Sequence, residues 1–214
     1  MPGVTIADYG SSNLLSVVRA FHHLGAEVET ATTADEIRAA EIVVVPGVGA
    51  FGDCVNGLVE RGLAEAVCEH VRSGGAFLGI CVGMQMMFES SSEFGIHEGL
   101  GLIAGSVEPI PPTGADGSPH KIPHIGWNTL ARPDGVDWEE TILRGLPEDP
   151  AVYFVHSFAG KVAVAGNLIA DADYDGRRIT AAVRTGNAYG VQFHPEKSGE
   201  TGLQILKNFL EGAA

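Results

Sequence analysis

Residues 42–45 read Ile-Val-Val-Val and stop at Pro46-Gly47. A continuous β-branched run of that length, with no polar alternation, suits a strand covered on both faces. Such strands belong to parallel sheets flanked by helices, so the neighbouring segments should alternate between strand and helix patterns. The first half of the chain has that alternation. Residues 4–7, 26–30 and 76–80 read as further strands. Between them, Ser11 or Ser12 caps a helix that Gly25 stops after Leu24. Thr33 with Glu36 forms a capping-box pattern for a short helix. Residues 51–73 carry helical spacing up to Gly74-Gly75, and a helical stretch runs from Val82 to about Glu89.

The second half changes character. Strand-like runs at 102–109, 121–130, 151–158, 162–171, 178–184 and 189–193 are separated by turns such as Asp175-Gly176. Hairpins there extend the sheet or build a second small one. A final helix over 199–210 follows Ser198 as its cap, and 111–114 reads as a loop. The expected fold class is therefore α/β: an open, mostly parallel twisted sheet flanked by helices, with added antiparallel strands. No linker, repeat or low-complexity block interrupts residues 1–214, so a single domain is the simplest division.

Composition narrows the function. Thirteen Lys and Arg against 27 Asp and Glu give a net charge of -14, which repels phosphate backbones and anionic lipid. Nucleic acid and membrane are thus excluded as partners, although a small phosphorylated ligand held by local groups is not. An apolar share of 45% is too high for a solvated acidic tail. Three cysteines, Cys54, Cys68 and Cys81, form no C-x-x-C pair and suggest reduced, buried thiols in a cytoplasmic protein. The N-terminus lacks the pattern of a secretory signal, and no apolar run is long enough to span a bilayer.

The chemistry concentrates in three segments. Gly79-Ile80-Cys81-Val82-Gly83 lies between a strand and a helix and has the G-x-C-x-G form of a nucleophile elbow. Glycines flank the cysteine there because a sharp turn leaves no room for Cβ atoms, and the following N–H groups favour thiolate. The plainer alternative is a small buried cysteine between structural glycines. Among eight histidines, His194 stands out because it follows a strand and precedes Pro195-Glu196. The proline favours extended geometry at His194, which lets His194 and Glu196 approach as an oriented base, unless H-P-E is merely a polar loop. His156, inside an apolar strand, reads as a satisfied core histidine; His120 and His124 lack the acidic or Cys neighbours of a metal site. Pro46-Gly47-Val48-Gly49-Ala50-Phe51-Gly52 follows the buried strand. It suits an oxyanion hole, a phosphate cradle without Walker spacing or Lys, or a plain turn.

Together these segments resemble a known family, the class I (triad) glutamine amidotransferases. GICVGMQ at 79–85 is similar to its nucleophile motif, VQFHPEKSG at 191–199 to its His-Glu motif, and PGVGAFG at 46–52 to its oxyanion strand. DYGSSNL at 8–14, PHIGWN at 123–128 and YFVHSF at 153–158 resemble more narrowly the glutaminase subunits of imidazole glycerol phosphate synthases. The likeness spans nearly the whole chain. It implies Cys81 as nucleophile, His194 as proton shuttle and Glu196 as its orienting carboxylate. It also implies oxyanion donors at Val48, Gly49 and Val82, and glutamine contacts at Gly49, Gln85, Glu93, Ser157 and Phe158.

The same resemblance implies no cofactor and no metal. Its implied partner is a cyclase subunit with an eight-stranded β/α barrel, met through Asn13, Trp127 and Lys197. That cyclase would use the ammonia to make imidazole glycerol phosphate and aminoimidazole carboxamide ribotide in histidine biosynthesis. Departures are few: Val82 replaces a common Leu, Ser12 a frequent Gly, and Phe158 a frequent Tyr. Competing readings are a glutaminase serving anthranilate or pyridoxal phosphate synthesis, a cysteine peptidase of related fold, and a non-catalytic scaffold. The scaffold would be expected to lose one of Cys81, His194 or Glu196.

Overall fold

A computed structural model describes residues 3–10 and 14–213. The expected N-cap serines and Asn13 lie outside the described residues. The first half runs β1 (Gly3–Ala7), α1 (Leu14–His23), β2 (Glu27–Ala31), α2 (Ala34–Ala39), β3 (Ile42–Gly47), α3 (Phe51–Glu60), α4 (Leu63–Arg72), β4 (Ala76–Cys81) and α5 (Val82–Gln85). The second half adds β5 (Phe88–Ser91), β6 (His97–Glu98), β7 (Ile103–Pro109), β8 (His124–Ala131), β9 (Ala151–His156), β10 (Phe158–Val162), β11 (Leu168–Tyr174), β12 (Arg177–Thr185), β13 (Ala188–Val191) and α6 (Gly199–Gly212).

A nine-stranded sheet has the order β2-β1-β3-β4-β13-β12-β11-β8-β9. Its first five strands pair in parallel and the rest antiparallel. A second sheet has the order β10-β7-β5-β6. The α/β class with added antiparallel strands is thus the one expected, and the hairpins both extend the main sheet and contribute to the small one. Ile42, Val43, Val44 and Val45 are fully buried, as two-sided coverage demands. The capping box at Thr33 and Glu36 is present with both of its hydrogen bonds. No helix among the described residues is long and apolar enough to cross a membrane.

Several boundaries differ from expectation for local reasons. The helical pattern over 51–73 is two helices, because Gly62 takes a left-handed φ of 69° and its N–H closes on the Val59 carbonyl. The helix expected from Val82 to Glu89 stops at Gln85. Met84, Met86, Met87 and Phe88 are all fully buried, so no polar face continues it, and the chain enters the second sheet as β5. The expected 162–171 strand is replaced by β10, a turn and β11, while 151–158 breaks at Ser157, where the chain crosses between sheets. His97 lies in the two-residue β6. Ser198 sits at the N-cap of α6 but makes no capping bond. Its hydroxyl instead donates to the His194 carbonyl at 2.6 Å and accepts from the Tyr153 N–H at 2.9 Å.

The turn after β4 carries the tightest backbone packing of the sheet. Cys81 has φ 55° and ψ -110°, a conformation rare for a residue with a Cβ. The main chain doubles back so closely that a Cβ on Gly83 would lie 1.8 Å from the Val45 carbonyl oxygen. One on Gly79 would lie 2.6 Å from the Gly83 carbonyl oxygen. Backbone atoms cannot rotate aside as a flexible side chain can. Gly83→Ala is therefore expected to destabilise the fold by about 3 kcal/mol or more, read as a lower urea midpoint; an unchanged midpoint would contradict this packing.

Candidate active site

The carboxyl ends of β3, β4 and β13 lie side by side, and each delivers one part of the site. This is the position where open α/β sheets place ligands. β4 ends at Cys81, whose residue pairs with Gly47 in the last register step of β3. The turn therefore lifts the sulfur between the 47–50 segment and the strand that leads to His194. β13 continues through Gln192 and Phe193 to His194, whose N–H is held by the Tyr153 carbonyl at 2.9 Å. Pro195 then starts a single 3-10 turn to Lys197. His194 is extended, at φ -99° and ψ 96°, as the following proline predicts. Glu196 reaches it through this turn and not, as expected, along an extended chain.

His194 Nδ1 donates to Glu196 Oε1 at 2.8 Å, with both side chains almost wholly buried. The other ring nitrogen is left for the thiol. Burial alone would pull the His194 imidazole down. Hydrogen bonds to Cys81 and Glu196, and the charges of both, outweigh it and raise His194 to about 9. Gln192 Nε2 donates to Cys81 Sγ at 3.8 Å, from a fully buried side chain. Its Oε1 accepts from Gln85 Nε2 at 3.0 Å, and the same Gln85 nitrogen donates to the Phe158 carbonyl at 2.9 Å. Cys54 and Cys68 are free and buried, and burial pushes both thiols up, away from the reactive form.

A cavity of about 290 Å³ opens beside the sulfur. Val48 and Gly49 line one side, Cys81, Val82 and Gln85 the floor, and Glu93, Ser157, Phe158 and His194 the remainder. The structure thus gathers every expected pocket residue, while Glu196 stands behind His194. The Val48 carbonyl turns towards α3, where Cys54 Sγ donates to it at 3.7 Å. In a trans peptide that orientation points the Gly49 N–H the other way. Glu93 Oε2 accepts from the Phe51 N–H at 2.7 Å, and so caps α3 in place of Ala50, whose side chain cannot. Trp127, 59% exposed on β8, and exposed Lys197 sit outside the cavity. The Trp127 ring lies 3.9 Å from where a Cβ on Gly199 would be, beside the His-Glu segment.

Pro123, Val155, His156 and Gln192 also belong to the site, and the sequence reading assigned none of them a part. Gln192 was legible in principle: it is a polar residue inside an apolar strand two positions before His194. Among the described residues, no group of three or more His, Cys, Asp and Glu side chains is placed to hold a metal ion.

The family description "Glutamine amidotransferase class-I" matches residues 5–213. The chain belongs to the class-I glutamine amidotransferases. Within that family its full-length relatives include HisH subunits of imidazole glycerol phosphate synthase. Subunit HisH 1 of Legionella pneumophila (strain Lens) is 52% identical over 212 residues, covering 99% of this chain and all of the relative. Subunit HisH of Chlorobium luteolum is 40% identical over 208 residues, covering 97% and 99%. Solved structures share the amidotransferase fold. One, described as a glutamine amidotransferase, has a TM-score of 0.73 at 20% identity and covers 99% of both chains. PurLQS from Thermotoga maritima gives 0.74 at 20% identity over the whole of both chains.

The protonation of His194 in this amidotransferase has a measurable consequence. Its folded-state value lies above the ordinary 6.5, so its stabilisation is fully present below about pH 6.5 and lost as pH rises through about 9. Thermal midpoints are expected to fall across that window. In Cys81→Ala the His194 ring-proton titration, followed by NMR, should shift to lower pH, because the thiol bond and charge are gone. A titration that stays put in the variant would refute the pairing.

Proposed function

We propose that this chain, acting as a single amidotransferase domain, hydrolyses glutamine to glutamate and ammonia through a Cys81 thioester. The observation that carries this reading is the strained elbow that sets Cys81 beside a buried His194–Glu196 pair, at a cavity floored by Gln85. His194 Nε2 takes the thiol proton while Glu196 holds Nδ1–H and stabilises the imidazolium. The sulfur then adds to the side-chain amide carbon of glutamine. Negative charge develops on the amide oxygen, where backbone N–H groups of the 48–49 segment and of Val82 serve as donors. His194 returns the proton to the leaving nitrogen and ammonia departs. Water, deprotonated by His194, cleaves the thioester, giving glutamate and restoring the thiol.

The family makes glutamine the substrate, and Gln85, Gly49, Glu93 and the 157–158 backbone are the groups around it. Ammonia is useful to a synthase only if it remains unprotonated and out of bulk water. The named relatives are subunits of imidazole glycerol phosphate synthase, which supports a cyclase as the acceptor. That partner, a β/α barrel, would receive ammonia for histidine biosynthesis in the cytoplasm. Trp127 and Lys197, exposed next to the His-Glu segment, and Asn13 are the residues proposed to meet it.

Glutamate release is the decisive measurement. Cys81→Ala is expected to lower it by at least about 10³-fold, and Glu196→Gln by about 10²–10⁴-fold, since the imidazole loses its orienting charge. Wild-type release should rise sharply when the cyclase subunit and its nucleotide are added. Equal rates with and without them would sink the coupled reading, and full activity in Cys81→Ser would sink the nucleophile assignment.

A further inference from the structure

A second pair of histidines lies behind the cavity, outside the triad. His156 ends β9 and His124 begins β8, directly opposite in the register, and both are buried. His156 Nδ1 sits 2.8 Å from the Phe158 carbonyl oxygen, and its Nε2 sits 3.0 Å from His124 Nδ1. His124 Nε2 sits 3.2 Å from Asn128 Nδ2, which also donates to the Asp173 carbonyl at 2.7 Å.

The chemistry of these partners leaves one arrangement of protons. A carbonyl oxygen only accepts, so His156 Nδ1 carries a hydrogen. A neutral ring then has a bare Nε2, which must accept from His124 Nδ1–H. His124 Nε2 is bare in turn and accepts from the second amide hydrogen of Asn128. Thr129 N–H donates to Asn128 Oδ1 at 2.8 Å, so the amide cannot be turned the other way round. Protonating His156 would set N–H against N–H between the two imidazoles, and protonating His124 would set its Nε2–H against the Asn128 amide hydrogens. Both rings are driven far below the ordinary imidazole value, burial being the largest cause: His124 to about 4 and His156 to about 3.

This directional chain ends on the carbonyl that Gln85 also bonds, at 2.9 Å, two hydrogen bonds from Gln192 and three from Cys81 Sγ. Two donors on one oxygen fix its peptide plane at the point where the chain crosses from β9 to β10. We propose that His124 and His156, both neutral and both in the Nδ1–H form, are positioning residues for the glutamine pocket. They hold the 157–158 backbone and, through the shared carbonyl, the Gln85–Gln192 pair beneath the nucleophile. Neither ring exchanges protons with substrate. The inference rests on the glutaminase reading given above and adds a role to residues outside the triad.

Two measurements test it. Nitrogen-15 NMR of the wild-type chain at neutral pH should give both rings a protonated-type Nδ1 and a bare-type Nε2. Finding Nε2–H forms, or charged rings, would overturn the proposal. For kinetics, His124→Phe keeps a flat ring against Phe154, at 4.7 Å, and Tyr174, at 4.1 Å, while withdrawing the donor to His156. With the cyclase subunit bound, this variant is expected to raise KM for glutamine about 10-fold, with a smaller change in kcat. An unchanged KM in a folded variant, beside an active wild type, would overturn the positioning role alone. A wild type that releases no glutamate would overturn the glutaminase reading, while the NMR result would still decide the proton arrangement. Should the variant fail to fold, the wild-type spectra decide the proposal.

Discussion

The site depends on how closely the backbone packs beneath Cys81. β3, β4 and α5 approach within distances that only glycine at positions 79 and 83 allows, with the Val45 carbonyl filling the space a Cβ would need. The cost falls on Cys81, held at a positive φ worth about 1–3 kcal/mol of strain. β3, buried throughout, and β13, buried except at Tyr189, enclose that conformation on either side. Once the sulfur is fixed at the end of β4, the two neighbouring strands can deliver the remaining parts only from their own carboxyl ends. β3 brings the 47–50 segment and β13 brings His194, so the constellation follows from strand order as much as from the residues.

Three histidines near one cavity have opposite charge states, and their partners explain why. His194 has a thiol on one nitrogen and a carboxylate on the other, and these raise it to about 9 despite its burial. His156 has a carbonyl and another imidazole, and His124 an imidazole and an amide; burial lowers both, and outweighs the Asp175 charge that acts on His124. Net negative charge on the partners permits an imidazolium, and uncharged partners forbid it. The hydrogen bonds of His124 and His156 retain a fixed direction.

Local signals made half of this legible from the residues. The β-branched run at 42–45 required a doubly covered strand, G-x-C-x-G required a tight turn, and a proline after His194 required extended backbone. Each is a short-range steric rule, and each matches the observed geometry. What stayed hidden depends on pairing across the sheets. The stop of α5 at Gln85 reflects burial on all sides of Met84 to Phe88, not a breaker residue. Ser198 looked like a cap because the pattern is common, but Tyr153 and His194 use its hydroxyl instead. His156 read correctly as satisfied, but the carbonyl that satisfies it borders the cavity. No spacing rule links residues 124, 128, 156 and 158 across two strands and a crossover.

Strand β8 shows how one element can serve two environments. Its residues alternate, so His124, facing inwards, and Asn128 belong to the directional hydrogen-bond chain, while Ile125 and Trp127 project outwards at 45% and 59% exposure. An exposed aromatic and an exposed β-branched residue two positions apart are poorly solvated, and covering them contributes roughly 25 cal/mol for each Å² removed from water. The same strand pairs with β9 along its length, from His124 opposite His156 to Thr129 opposite Ala151. A surface that docks on Ile125 and Trp127 therefore bears on the backbone that carries the histidine pair. The chain's acidity of -14 is no obstacle to such a partner, because an apolar contact beside Lys197 does not require a phosphate-attracting field. Glutamine, the ligand proposed for this cavity, is zwitterionic, so its recognition would fall to hydrogen bonds at short range.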